Sequence, residues 1–171
     1  MQKNFDQSFK WLMEHEGGFT DDSSLGDSGG MTCWGVTHHD WAKWIGKEPT
    51  RAQMKALKQS DVKPLYKAYY WDILKCDQLP SGLDYAIFDY GVNSGIYRAA
   101  KILQRLLGVT VDGIIGKETL KAVKDKDGTV LALKVCDERL GFLRSLRIFR
   151  NFGRGWTARV NEVRARVLEM K

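Results

Sequence analysis

The sequence predicts a mainly α-helical fold with a small β-hairpin or ordered loop near the N-terminus. Apolar residues recur at helical spacing along most of the chain, and only residues 17–37, rich in glycine, serine, aspartate and threonine, interrupt that period. The chain has 171 residues, of which 43% are hydrophobic, and this is enough to build one core. We therefore expect a single compact domain over residues 1–171, with no clear boundary between residues 1–80 and 81–171.

The first predicted helix is short and amphipathic. Phe5, Phe9 and Leu12 share one helical face, and the pair Gly17-Gly18 ends the helix. In the glycine-rich segment that follows, residues 31–37 have the composition of a short strand. We expect small antiparallel strands or an ordered loop there.

Helical patterns resume after this segment. Thr50 and Gln53 form a predicted capping box at the start of a helix. Residues 83–92 are nearly all apolar, so we expect a buried central helix there. Further helices are predicted at residues 98–107, in a short stretch ending near Val123, at residues 130–146 and at residues 156–168.

Composition excludes several classes of protein. No run approaches the roughly 18 apolar residues of a membrane span, and the N-terminal residues turn polar too early for a secretory signal. The three cysteines are scattered, and neither they nor the three histidines show metal-ligand spacing. We expect no metal, no other cofactor, and a protein made in a cytoplasm without an export signal.

The basic charge is concentrated at the C-terminus. Residues 144–171 contain eight arginine or lysine residues and two glutamates, so this segment accounts for the whole net charge of +6. Such a segment suits a polyanionic partner such as nucleic acid, anionic lipid or cell-wall polymer, and it equally suits a solvated helix face. Because no aromatic–basic interleaving or nucleic-acid motif occurs elsewhere in the chain, we expect no nucleic-acid partner.

Glu16 is the first candidate catalytic residue. It follows Leu12 by four residues and Phe9 by seven, so it continues the apolar face at the C-terminal end of the predicted helix. Burial and the helix dipole would both raise the pKa of its carboxyl group. A carboxyl group that stays protonated near neutral pH is the general acid that a glycosidase needs. The periodicity also allows Glu16 to turn outward at a frayed helix end.

Glycosidases usually need a second carboxylate. Asp21, Asp22 and Asp27 lie in the glycine-rich segment, which could fold back over the helix end. Asp27 is the preferred candidate because the following glycines let the backbone turn tightly and approach a ligand, although each aspartate also suits a turn. The hydroxyl of Thr32 could hold an attacking water, or Thr32 could simply favour a strand.

A longer motif contains all of these residues. HEGGFTDDSSLGDSGGMTCWGVT, residues 15–37, resembles the opening signature of the glycoside hydrolase family 108 N-acetylmuramidases, found among phage endolysins and bacterial secretion-activator-like proteins. The family has Glu-Gly-Gly after its first helix and then a Gly-Gly-x-Thr-x-x-Gly-[Ile/Val]-Thr run, although Met31 stands where many relatives have Glu or Ala. DYAIFDYGVNSGIYRAAKILQRLLGV and VDGIIGKETL resemble the family's C-terminal peptidoglycan-associated region, so the resemblance covers nearly the whole chain.

The resemblance implies a lysozyme-like α+β fold, with the catalytic signature in residues 1–80 and the peptidoglycan-associated region in residues 81–171. It implies hydrolysis of the β-1,4 bond between N-acetylmuramic acid and N-acetylglucosamine, with Glu16 as general acid. Analogy with other phage lysozymes adds Asp27 and Thr32. The resemblance further implies an endolysin, made in the host bacterial cytoplasm and released to the cell wall with the help of a phage holin. We expect this protein to be a monomer.

Five residues are candidates for substrate binding. Aromatic rings stack on sugar faces, hydroxyl and amide groups bond to sugar substituents, and the same residue types serve equally well in a core or at a helix end. The candidates are Trp34, Thr37, Tyr90, Asn93 and Ser94.

Two other functions stay open at this stage. A lytic transglycosylase needs a single catalytic glutamate, because a hydroxyl of the sugar itself is the nucleophile. A wall-binding or export-helper protein with weak turnover would need none.

Overall fold

The structure, a computed structural model, describes residues 2–21 and 30–170. The candidates Asp22 and Asp27 lie outside the described residues. The α-helices are α1 (Gln2–Met13), α2 (His38–Ile45), α3 (Arg51–Lys55), α4 (Gln59–Tyr66), α5 (Leu83–Ser94), α6 (Ile96–Leu107), α7 (Lys117–Val123), α8 (Gly128–Ser145) and α9 (Phe149–Glu169). The strands are β1 (Thr20–Asp21), β2 (Met31–Cys33) and β3 (Val36–Thr37). The predicted mainly α fold with a small β element near the N-terminus is confirmed.

The chain packs as two compact units. Phe9–Ala68 forms one, here called the sheet unit, and Met1–Ser8 with Tyr69–Lys171 forms the other, the helical unit. No linker marks this division in the sequence, because residue 8 lies inside α1 and residue 69 lies inside a short π-helical turn, Lys67–Trp71. Among the described residues, no helix combines the length and apolar character that a membrane crossing requires.

The sheet unit contains a three-stranded antiparallel sheet in the order β1-β2-β3. Thr20 pairs with Thr32, and Thr32 pairs with Thr37, so the three threonines share one face of the sheet. Cys33 and Val36 pair on the opposite face and are buried. Residues 31–37, whose composition suits a strand, form two strands because a tight turn at residues 34–35 divides them, and the predicted small hairpin is confirmed.

Helix α1 ends earlier than the sequence suggests. The backbone N–H groups of Glu14 and His15 donate to carbonyls three residues back, at Trp11 (3.3 Å) and Leu12 (3.0 Å). Such bonds tighten and close the last turn of a helix. Glu16 therefore lies three residues beyond α1 rather than in its last turn.

The predicted central helix α5 is the core of the helical unit. All of its residues from Leu83 to Gly91 are buried, and α6, α8 and α9 pack against it. Helix α9 begins at Phe149, seven residues before the predicted start. The helix includes Gly153, where the ring of Phe149 packs in the place that a Cβ would take, 2.7 Å away.

Several arginines of the basic C-terminal segment are structural. Arg159 donates to Asp89 at 2.8 Å, beside a 3.0 Å bond from Arg139, and the Asp89 carboxylate is fully buried. Arg164 pairs with Asp137 and Arg166 with Glu162. The expectation that the whole segment is a solvated or partner-binding surface was therefore wrong for Arg159 and Arg166, whereas the pair of Arg164 with Asp137 is partly exposed.

Candidate active site

The Glu16 carboxylate lies against the turn between β2 and β3. A Cβ added to Gly35 would come within 2.5 Å of Glu16 Oε2 and 3.1 Å of Glu16 Cδ. Real side chains essentially never approach that closely, so the absence of a side chain at Gly35 makes room for the carboxylate. The peptide carbonyl of Gly17, next to Glu16, accepts a 3.1 Å bond from the Trp34 N–H of the same turn. The turn and the glutamate are therefore held as one local structure.

The turn itself adopts a left-handed conformation at both central residues. Trp34 has φ 51° and Gly35 has φ 73°, as in the type I′ turns that fit the twist of a two-residue hairpin. Glycine adopts this conformation freely, whereas for a residue such as tryptophan it costs roughly 1 kcal/mol. A non-glycine residue persists there only where its surroundings fix it.

Three hydrogen bonds fix Trp34 in this conformation. Besides the bond from its N–H to Gly17, its carbonyl accepts from the hydroxyl of Tyr66 at 2.8 Å, and its indole N–H donates to the carbonyl of Leu57 at 2.8 Å. The Tyr66 hydroxyl would also lie 2.5 Å from a Cβ on Gly35. Tyr66 thus lines the same small space as the Glu16 carboxylate and supports the turn from α4.

The hydroxyl of Thr32 is part of a short polar row on the sheet. It shares a hydrogen bond with the hydroxyl of Thr20 on β1. The neighbouring Thr37 caps α2, since its hydroxyl accepts from the N–H of Asp40 at 3.0 Å and donates to the Asp40 carboxylate at 2.9 Å. Thr37, a candidate for substrate binding, has a helix-capping role in the structure, and Thr32 keeps a half-buried hydroxyl on the sheet face.

Asp21 is the one candidate for the second carboxylate that the structure describes. Its carboxylate accepts a 2.7 Å bond from Arg51 on α3. The Arg51 guanidinium also lies 5.3 Å from the centre of the Phe19 ring. Asp21 is therefore held in a partly exposed ion pair at the end of β1.

The remaining candidates belong to the helical unit. Tyr90 has no solvent exposure, and Arg139 lies 5.4 Å from the centre of its ring, so this ring cannot stack on a sugar in the observed conformation. Asn93 and Ser94 end α5 and are accessible, and the Ser94 hydroxyl donates to the Asn93 side chain at 3.2 Å. The Ser94 carbonyl accepts from Arg98 at 2.7 Å, as expected at the C-terminal end of a helix.

Sequence reasoning missed Tyr66 and Arg51. Tyr66 is buried, and no sequence signal indicates that its hydroxyl reaches Trp34. Across residues 2–21 and 30–170, no group of three or more histidine, cysteine, aspartate or glutamate side chains is arranged to hold a metal ion.

A family model described as Glycosyl hydrolase 108 matches residues 9–95, half of the chain, and this range includes Glu16, the hairpin and Tyr66. The chain belongs to the glycosyl hydrolase 108 family. A second model, described as "Predicted Peptidoglycan domain", matches residues 98–161. Together these matches identify this family member as a glycoside hydrolase that acts on peptidoglycan.

A solved structure supports the same assignment. The family member is similar to a chain titled "Structure of Brucella abortus SagA", with a TM-score of 0.86 and 36% sequence identity. The similarity covers 99% of this chain and 97% of the Brucella abortus chain. This similarity over nearly the whole chain supports the predicted lysozyme-like fold. No curated protein matches this sequence.

Proposed function

We propose that this family 108 hydrolase is an N-acetylmuramidase that cleaves the β-1,4 bond between N-acetylmuramic acid and N-acetylglucosamine, with Glu16 as the general acid. The observation that carries the proposal is the Glu16 carboxylate packed against the Trp34–Gly35 turn. A glutamate anchored in this way has few alternative positions, and an acid catalyst needs a fixed position relative to the bond that it cleaves.

In the proposed reaction, Glu16 transfers its proton to the glycosidic oxygen as the bond from that oxygen to the anomeric carbon breaks. A second carboxylate stabilises the positive charge that develops on the sugar or activates the water that adds to it. We assign this role to Asp27, because the glycines that follow it let the backbone approach a ligand and because Asp21 is engaged by Arg51. We assign to the Thr32 hydroxyl the role of holding the attacking water. The hydroxyl group of that water adds to the anomeric carbon, and its remaining proton passes to the base.

Substrate contacts are proposed at three accessible residues. The half-buried Trp34 has its indole N–H committed to Leu57, which leaves its ring faces as the part that could contact a sugar. The amide of Asn93 and the hydroxyl of Ser94 suit N-acetyl and hydroxyl groups.

The biological role that fits this activity is host lysis by a phage endolysin. In this role the protein acts as a monomer, is made in the host bacterial cytoplasm and reaches the wall after a holin opens the membrane. The peptidoglycan domain at residues 98–161 supports a wall polymer as the partner.

Analysis of digestion products tests the proposal. Purified peptidoglycan is digested, and the fragments are identified by mass spectrometry before and after borohydride reduction. Reducing N-acetylmuramic acid ends are expected. Anhydro-muramic ends would instead indicate a lytic transglycosylase that uses Glu16 alone, and a lack of fragments would indicate a wall-binding protein.

A further inference from the structure

Four exposed arginines lie together where α8 ends and α9 begins. Residues 139–161 contain six arginines and no aspartate or glutamate. Arg139 and Arg159 point inward to Asp89. The other four are exposed, and no ion pair joins them to an acid within the described part of the chain; they are Arg144, Arg147, Arg150 and Arg154.

Three of these arginines line one cavity of about 490 Å³, which we call the arginine cavity. Its remaining lining is the Phe149 ring, Gly153 and Thr157. Because the ring packs directly over Gly153, the cavity has an apolar side and a cationic side. The cavity is shallow and open to solvent, so it suits an extended polymer segment lying across it rather than an enclosed small molecule.

The positions of Arg150 and Arg154 are electrostatically unfavourable for the protein alone. Arg150 and Arg154 lie in the first two turns of α9, where the helix dipole already places positive charge. Ile148 precedes the helix and offers no side-chain acceptor to its first N–H groups. Like charges at this end of a helix destabilise it, and an anion bound there would relieve the repulsion.

We propose that the arginine cavity binds free carboxylates on the peptide stems of peptidoglycan, at a site separate from the bond that is cleaved. Arginine presents a planar fork of donors that matches a carboxylate, and three such groups around one cavity suit a chain that carries several carboxylates. The cavity lies within the region matched by the peptidoglycan domain. The inference rests on the proposed function for the identity of the polymer.

A membrane surface is the competing partner, because Ile148 and Phe152 beside the cavity are 51% and 55% exposed. Basic residues beside exposed apolar residues are typical of helices that lie on anionic lipid. We favour the stem carboxylates because these arginines lie inside the region that the peptidoglycan domain matches, and three guanidinium groups around one site suit a polymer that carries several carboxylates.

The first experiment measures binding to purified sacculi on ice by co-sedimentation, in a Glu16→Gln background that suppresses hydrolysis. The test variant is Arg144→Gln/Arg150→Gln/Arg154→Gln. Its matched control, Lys117→Gln/Lys121→Gln/Lys124→Gln, removes the same charge from exposed positions on and beside α7, inside the same matched region. Thermal unfolding of all proteins checks that the substituted chains are folded.

We expect the arginine variant to bind native sacculi at least about tenfold more weakly, whereas the lysine control changes by less than about twofold. In a second set of sacculi the carboxylates are converted to amides. The protein with its arginines unchanged should bind these sacculi as weakly as the arginine variant binds native sacculi. Equal losses in the two variants, or undiminished binding to amidated sacculi, would overturn the inference. Selective loss of binding to phosphatidylglycerol vesicles, with sacculus binding unchanged, would overturn it in favour of a membrane.

A separate measurement distinguishes this inference from the proposed function. With Glu16 intact, the arginine variant should cleave peptide-free glycan fragments at the unsubstituted rate. If the protein cleaves no glycan fragment, but its binding to sacculi still depends on the cavity arginines and on the sacculus carboxylates, only the muramidase assignment is refuted. A chain that cleaves normally and binds sacculi without the arginines would refute only the cavity.

Discussion

The carboxylate of Glu16 and the backbone of Gly35 lie so close together that no side chain fits between them. Glycine is required at position 35 for two reasons. Its φ of 73° favours glycine, and a Cβ at this position would lie 2.5 Å from Glu16 Oε2. The hairpin turn is thus part of the wall that fixes the acid.

Substitution of Gly35 by alanine should displace the acid. We expect Gly35→Ala to lower the hydrolysis of purified peptidoglycan by about 100-fold or more, because displacement of a catalytic group by about 1 Å has effects of that size. The measurement is the initial rate of release of reducing ends, with circular dichroism as the check on folding.

Gly46 provides the control for backbone strain. It has φ 72° and caps the C-terminus of α2, and a Cβ there would meet nothing within 4 Å. Gly46→Ala should therefore lose roughly 1 kcal/mol of stability from the left-handed conformation and keep its activity. Equal activities of the two variants would mean that Gly35 serves the turn alone.

Substitution of Glu16 itself tests the general acid. Glu16→Gln keeps the shape of the side chain and cannot donate a proton, so we expect activity to fall by a factor of about 100 to 10,000 with no change in melting temperature. Glu14→Gln, two residues earlier and exposed, should retain full activity. A folded Glu16→Gln protein with near-normal turnover would refute the assignment.

The sequence predicted those features that depend on residue type and period. Residues 83–92, which are nearly all apolar, predicted the buried helix α5, and the helical period together with the Glu-Gly-Gly motif indicated Glu16. In contrast, the turn at Trp34 could not be predicted, since tryptophan disfavours a positive φ and only contacts with Gly17, Leu57 and Tyr66 impose it. Local pattern contains no information about such distant partners.

The basic C-terminal segment also shows that the sequence does not indicate which distant partner a side chain contacts. Sequence gives the charge of every arginine between residues 144 and 171 but not its partner. The structure places Arg159 on a buried carboxylate 70 residues away in the chain, whereas Arg150 and Arg154 line a cavity. Chemically identical side chains in one segment therefore have different roles, and only the packing of α9 on α5 and α8 distinguishes them.

The second carboxylate is tested by comparing two aspartates of the glycine-rich segment. We expect Asp27→Asn to reduce turnover about 100-fold or more, as the loss of a positioned acid–base group does. Asp21→Asn removes only a partly exposed ion pair with Arg51 and should have a small effect on rate. If Asp21→Asn, or Asp22→Asn measured beside it, is the more damaging change, the assignment to Asp27 is wrong; if all three changes are mild, a mechanism with Glu16 alone is favoured.

The buried Asp89 is predicted to dominate the stability of the helical unit. Burial alone would raise the pKa of its carboxyl group, but the charges and hydrogen bonds of Arg139 and Arg159 outweigh that effect and hold the pKa well below its usual range. Asp89→Asn would leave two arginines without their anion, and breaking a buried pair in this way typically costs about 3–5 kcal/mol.

Asp137→Asn is the matched control for this prediction. Asp137 is 62% exposed in its pair with Arg164, so its loss should cost at most about 1 kcal/mol in urea unfolding at pH 7.

The contribution of Asp89 to stability should depend on pH. Because the pKa of Asp89 is depressed in the folded state, the carboxylate stabilises the protein fully above the unfolded pKa of about 4, and this stabilisation is lost as the pH falls toward the folded pKa. The gap in unfolding free energy between the unsubstituted protein and Asp89→Asn should therefore narrow from pH 6 to about pH 3. A gap that stays constant over this range would show that packing, rather than the charge of Asp89, stabilises α5 against α8 and α9.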